Sequence, residues 1–269
     1  KNAAVEVDGS SYWMSENGFF TYDGQLKSMP CLVEDYVYDS VNDTSRDLIN
    51  AGLNNLFGEV SWFYCSEGSD IIDRVVTYNY LDSSNERPIW TTGSLARAAW
   101  QDSSVFNKPH ATYYRPNVND SFDVTGNTDG TTIYYNQETG TDQVDAGGNV
   151  TAIQANILSG DFDITQKRSN TGQTVGTPDL RGDGEYMMRI SRFIPDFINQ
   201  AGTTQVSFTT RNYPNSTPVT TDFTIDATTT FKSTRIRARS VALKVSNTGT
   251  NQDWKLGTFR LDISPGGMR

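Results

Sequence analysis

Short runs of aromatic and β-branched residues, each cut off within a few positions by Gly, Asn or Asp, recur along this whole chain. Ser11-Tyr12-Trp13-Met14, Phe19-Phe20-Thr21-Tyr22, Glu59-Val60-Ser61-Trp62-Phe63-Tyr64 and Arg74-Val75-Val76-Thr77-Tyr78-Asn79-Tyr80 are the clearest examples. Side chains branched at Cβ or carrying a ring pack well on a pleated surface. Runs this short, joined by turn residues and without alternating helical patterns, imply antiparallel sheets. The expected fold class is therefore all-β.

The turns sharpen this reading. Asn17-Gly18 marks one. Asp23-Gly24, between residues 19–22 and Gln25-Leu26, is the strongest two-residue hairpin signal, because Asp-Gly accepts the left-handed dihedrals of a type I′ turn. Residues 33–38 continue the series by alternating apolar with acidic side chains. Ser66-Glu67-Gly68-Ser69-Asp70 separates the two strands of a second hairpin. One short helix is expected near 44–55. Thr44 and Asp47 fit a capping box, Leu48, Ile49 and Leu53 share roughly one face, and Gly52 with Asn54-Asn55 keeps it short. Ile89-Trp90-Thr91-Thr92-Gly93 and Ala96-Arg97-Ala98-Ala99-Trp100 complete a unit like one blade of a β-propeller.

Residues 115–149 are rich in Asn, Asp, Gly and Thr, with one expected strand at Thr132-Ile133-Tyr134-Tyr135-Asn136. Ala146-Gly147-Gly148-Asn149 reads as a boundary. Two domains follow: a propeller-blade-like portion of antiparallel sheets over 1–148, and a β-sandwich-like domain over 149–269. In the second, strands are expected at 185–194, 204–211, 219–225, 235–245 and 254–263, after a long Gly-rich loop over 166–184.

Charge is unevenly spread. Residues 1–180 hold 10 basic and 25 acidic side chains, residues 181–269 hold 12 and 7, and the whole carries −10. An acidic body is repelled by nucleic acid, while a basic end can meet it. No run of about 18 apolar residues occurs, so no membrane-inserted helix is expected.

Catalytic chemistry finds little to build on. The single histidine, His110, follows Lys108-Pro109 and reads as a loop or packing residue, since a triad needs a base held by a third group and a histidine metal cluster needs at least two. Asp161 and Asp163 share one face of an extended stretch with Phe162 and Ile164 on the other. They read as a solvated face, the formal alternative being a glycosidase-like acid pair. Asp179-Leu180-Arg181-Gly182-Asp183-Gly184-Glu185 alternates acids with glycines without matching a calcium loop. Its Arg181-Gly182-Asp183 tripeptide is too short to indicate adhesion. Cys31 and Cys65 sit in apolar, strand-like surroundings and read as two buried thiols, a single disulfide being the alternative. Neither an enzyme nor a cofactor or metal is expected.

Thr234-Arg235-Ile236-Arg237-Ala238-Arg239 is the most distinctive local pattern. In a strand, Arg235, Arg237 and Arg239 form a row of cations opposite Ile236 and Ala238. The parity then slips, since Val241, Leu243 and Val245 match the arginines, and a bulge near Arg239-Ser240 would reconcile the halves. The row either pairs with acids of neighbouring strands or subunits, or faces the phosphates of DNA without reading sequence.

The order of several segments resembles a known family. Trp62-Phe63-Tyr64, Asp73-Arg74-Val75-Val76-Thr77-Tyr78-Asn79-Tyr80, Trp90, and Leu95-Ala96-Arg97-Ala98-Ala99-Trp100 begin the series. Ser159-Gly160-Asp161-Phe162-Asp163-Ile164, Arg192-Phe193-Ile194-Pro195-Asp196-Phe197 and Thr210-Arg211-Asn212-Tyr213-Pro214 continue it. Arg235-Ile236-Arg237-Ala238-Arg239 and Trp254-Lys255-Leu256-Gly257-Thr258-Phe259-Arg260-Leu261-Asp262 end it. This order is similar to the C-terminal part of the tail nozzle, or packaged-DNA stabilisation, proteins of short-tailed bacteriophages. The resemblance implies a virion structural protein with a β-propeller core. It also implies a homo-oligomeric ring of usually six copies around a DNA channel, contacts with other tail proteins, and assembly in the host cytoplasm. Because the chain opens at Lys1 inside strand-like sequence, a preceding part holding the remaining blades is expected. The competing expectation is a carbohydrate-binding or glycan-cleaving receptor-recognition tail protein, in which the Trp and Tyr rings stack on sugars.

Overall fold

The structure, a computed structural model, describes residues 2–103, 106–115, 131–144, 149–164, 186–247 and 249–268. It is all-β, with antiparallel sheets and two short helical turns, and it divides into two compact units, Lys1–Thr139 and Gly140–Arg269.

The first unit opens with a four-stranded meander of Ala4–Val7 (β1), Ser10–Ser15 (β2), Gly18–Tyr22 (β3) and Leu26–Ser28 (β4), paired in chain order. The two-residue Asp-Gly turn does occur, but at Asp8-Gly9. Val7 faces Ser10 there, and both turn residues have positive φ, 49° and 78°. At the expected site Tyr22 faces Leu26 instead, so three residues form the loop. Asp23 organises it, accepting from the Gln25 N–H through Oδ1 and from Lys27 Nζ through Oδ2.

The extended reading of residues 33–38 gives way to a single helical turn, Glu34–Tyr38 (α1). Val37 is fully buried, and the Tyr38 hydroxyl donates within a site formed by the Ser15 and Gly18 carbonyls at 2.8 and 2.9 Å. The helix expected over 44–55 is only a 3-10 turn, Asp43–Leu48, and its cap is Asn42, whose Oδ1 accepts from the Thr44 N–H at 3.0 Å. Residues beyond it form a strand, because Asn50, Gly52 and Asn54 turn to one side and pair along the next strand. Pairing thus outweighs the weak local helical pattern.

A second four-stranded meander joins Asn50–Asn54 (β5), Glu59–Tyr64 (β6), Arg74–Asn79 (β7) and Trp90–Gly93 (β8). Its central strand is buried on both faces. On one side Trp62 and Tyr64 pack with Phe19, Met14, Val7 and Val76. The Phe19 and Trp62 ring centres are 5.1 Å apart, and the Trp62 indole N–H donates to the Ala3 carbonyl at 2.9 Å. On the other side Phe63 packs with Cys65, Ile72, Val75 and Trp100. Trp100 belongs to a third sheet, of Ala99–Gln101 (β9), His110–Arg115 (β10) and Thr131–Asn136 (β11), in the order β11-β10-β9. Its indole lies over Gly52, where an added Cβ would stand 2.6 Å from the ring, and donates to the Leu53 carbonyl at 2.7 Å. Three antiparallel sheets therefore follow one another, each packed on the next.

Cys31 is half-buried, Cys65 is buried, and both are free thiols. Burial pushes both thiols up to about 11 and the Tyr38 hydroxyl up to about 12, from unfolded values of 9.0 and 10.0. The neutral form is the one the fold favours. Its stabilising contribution is whole below pH 9 and is lost as pH rises through 9–12. The denaturant midpoint is expected to fall over that window, and Tyr38→Phe should flatten the portion between pH 10 and 12. A midpoint that is level from pH 9 to 12 in the unmodified chain would refute this.

The second unit begins with a hairpin of Asp142–Val144 (β12) and Val150–Ala152 (β13). The sequence boundary at 148/149 falls between these paired strands, whereas the division between units lies at 139/140. Asn156–Leu158 (β14) follows, then Tyr186–Ile194 (β15), Phe197–Ala201 (β16), Thr203–Arg211 (β17), Val219–Asp226 (β18) and Lys232–Ala238 (β19). Ser240–Ser246 (β20), Asp253–Leu256 (β21) and Arg260–Met268 (β22) complete it. A four-stranded sheet, β14-β20-β17-β18, and a three-stranded sheet, β19-β15-β22, share one core. Val206, Phe208, Ile225, Val241 and Val245 enter it from the first, and Met188, Ile190, Phe193, Ile236 and Ala238 from the second. This is a sandwich, with β16 and β21 paired beside it. The loop expected over 166–184 lies outside the described residues.

Candidate basic interface on the second unit

Strand parity places the charges. In β15, Tyr186, Met188 and Ile190 point inward, so Arg189 points out. A register shift between Ile190 and Arg192 then reverses the parity, turning Phe193 in and Arg192 out. In β19, Thr234, Ile236 and Ala238 are buried while Arg235 and Arg237 are exposed. Arg189 stands directly opposite Arg237 in the ladder. Arg235, Arg237 and Arg189 thus share the outer face of one three-stranded sheet.

Arg237 donates from Nη2 to the Gly266 carbonyl at 3.0 Å, which holds its stem along the sheet. Arg192 is bonded through Nε to Asp262 Oδ2 at 2.6 Å and lies 5.6 Å from the centre of the Phe231 ring. No acid is paired with Arg189, Arg235 or Arg237 among the described residues. Like charges directly opposite across a ladder destabilise it. Arg189 and Arg237 therefore repel one another across the ladder.

Arg239 does not join this row. The parity slip read as a bulge is a crossing. The chain leaves β19 in the three-stranded sheet and enters β20 in the four-stranded one, with Arg239 as the residue between. The two sheets present opposite sides to the shared core, so a chain feeding both must switch parity. Arg239 lies 5.9 Å from the centre of the Tyr213 ring. Both line a cleft of about 780 Å³ with Asp161, Asp163, Arg211 and Ser240. Asp161 is held there by Arg211 Nη1 at 2.6 Å and by the Ser240 hydroxyl at 3.2 Å. As the alternation of that stretch implies, Ile164 is fully buried, Phe162 packs on the core, and Asp161 is exposed. Arg189 escaped the sequence reading because β15 carries no alternating row of cations like that of 235–239. Its signal was the inward alternation of Tyr186, Met188 and Ile190 around it.

His110 opens β10 between the rings of Phe106 and Tyr134, at 4.4 and 5.2 Å, and its Nδ1 is hydrogen-bonded to the Tyr134 hydroxyl. It is a packing histidine. No group of three His, Cys, Asp or Glu side chains able to hold a metal occurs among the described residues, and no helix there is long and apolar enough to cross a membrane. Residues 179–185 lie outside the described residues. No family model matches the chain, and no curated protein matches it.

Proposed function

We propose that the chain is a non-catalytic virion component of a bacteriophage tail. It is one subunit of a ring, usually of six copies, around the DNA exit channel, where it retains the packaged genome and conducts it during ejection. The observation that carries this reading is the succession of three antiparallel sheets in the first unit, packed through Trp62 on one face and Trp100 on the other. Propeller blades stack in this manner. The segment order that resembles tail nozzle proteins points the same way.

Charge supports it. The first unit carries 20 acidic and 8 basic residues. An acidic wall repels phosphate and lets DNA slide, where a cationic lining would hold it through counterion release. Neighbouring tail proteins and non-specific DNA are the partners, and the particle is the location. Sizing the purified chain by light scattering, together with electron microscopy of particles that contain it, tests the reading. A closed ring at the tail is expected, and a monomer absent from the particle would overturn it.

One observation favours a second reading, recognition of a receptor glycan. Tyr213 is 66% exposed at the mouth of the cleft that Asp161 and Asp163 line. An open aromatic face beside fixed carboxylates suits a sugar ring. Asp161 is engaged by Arg211 and Ser240, which favours binding over cleavage. Saturation-transfer NMR with glycans of the host surface, repeated on Tyr213→Ala, decides this alternative.

A further inference from the structure

Arg189, Arg235 and Arg237 stand on one exposed sheet face, with Arg189 and Arg237 facing each other and no acid paired to any of them among the described residues. The same chain offers the complementary surface. Within residues 34–47 stand Glu34, Asp35, Asp39, Asp43 and Asp47. Asp43 is tied to Arg46 Nη2 at 2.6 Å, and the other four have no ion pair among the described residues. Large apolar side chains are exposed in and beside this segment, Leu32 by 79%, Tyr36 by 59% and Leu48 by 44%. Acids interleaved with an exposed ring and aliphatic chains form the composition that guanidinium groups recognise, bidentate on carboxylate and stacked on an aromatic face.

We propose that Arg189, Arg235 and Arg237 of one copy dock the acidic segment 34–47 of a second copy. Both surfaces are exposed in the single chain. The contact joins two different patches, so it is head-to-tail, and repetition closes a ring when the rotation allows. The proposal rests on the ring assembly argued above and supplies its interface. A phosphate backbone is the rival occupant of the arginine face.

The test is sedimentation velocity on the full 269-residue chain over a concentration series. Arg235→Glu with Arg237→Glu, and separately Asp35→Lys with Asp39→Lys, should each raise the half-assembly concentration by about tenfold or more. An equimolar mixture of the two reversed variants should associate, because each supplies the surface the other needs. Arg235→Gln with Arg237→Gln should also lose assembly while keeping the parent's far-UV circular dichroism, which separates a lost interface from an unfolded chain.

The outcomes separate cleanly. If the parent chain stays monomeric, the ring reading fails and takes this interface with it. If the parent assembles and the reversed variants assemble equally well, the ring stands and this interface is wrong. Loss of assembly in the arginine variants alone means that segment 34–47 is not the partner. Intact assembly with loss of duplex-DNA retention in a filter assay assigns the face to phosphate and overturns the proposal.

Discussion

Replacing Trp62 by Ala is expected to unfold the first unit selectively. The Trp62 side chain is fully buried between two sheets, 5.1 Å from Phe19 and 6.0 Å from Trp90, ring centre to ring centre. Truncating a buried aromatic costs about 3–5 kcal/mol in lost transfer energy and cavity. The Ala3 carbonyl also loses its indole donor but keeps the Met14 N–H at 3.1 Å, so the lost packing dominates the cost. Whole domains are stable by only about 5–15 kcal/mol. Hydrogen exchange read by mass spectrometry should show protection collapsing in peptides of residues 1–139 and persisting in peptides of 140–269. Uniform loss across both units would show that the division at 139/140 is not a boundary of cooperativity. Unchanged protection would refute the packing role given to Trp62.

Phe193→Ala is expected to do the same to the second unit. Phe193 is the first inward residue after the register shift in β15, and it is fully buried. The rings of Phe208, Phe223 and Phe259 lie around it with centres at 5.4, 5.3 and 5.4 Å. Its removal should cost about 3–5 kcal/mol, whereas Phe193→Leu, which keeps most of the volume, should cost under about 1.5. Urea unfolding followed by exchange in peptides of 140–269 measures both. Equal losses for the two substitutions would mean that ring contacts, not filled volume, dominate the site.

The fold class was legible because β-branched and aromatic runs at short spacing leave few alternatives. The hairpin of residues 59–64 with 74–79 and the strands near 186–194, 203–211 and 219–226 all appear. What escaped were features decided by contacts distant in sequence. Residues 50–54 carry a weak helical pattern, yet they pair with residues 59–63 and receive the Trp100 ring. Residues 34–38 alternate like a strand, yet Tyr38 is drawn to two carbonyls some 20 residues upstream. The hairpin expected at Asp23-Gly24 forms, but Asp23 uses its carboxylate to organise a three-residue loop, and the two-residue Asp-Gly turn occurs instead at Asp8-Gly9, which the sequence reading passed over.

The candidate site was legible in part. Arg235 and Arg237 share a face, as strand periodicity requires. Arg239 parts from them, because one strand's pattern cannot reveal that the chain is about to change sheets. The alternation of β15 turns Arg189 outward, but that it joins Arg237 follows only from the pairing of β15 with β19.

The crossing at Arg239 also bears on how the second unit resists force. Because one continuous stretch of backbone runs from the arginine-bearing sheet into the opposite one, neither layer can slip over the other without stretching that link. The Arg239 N–H is itself latched to the Arg211 carbonyl at 3.2 Å. A tug on the cationic face is thereby shared with the far layer through main-chain bonds rather than through side-chain friction alone.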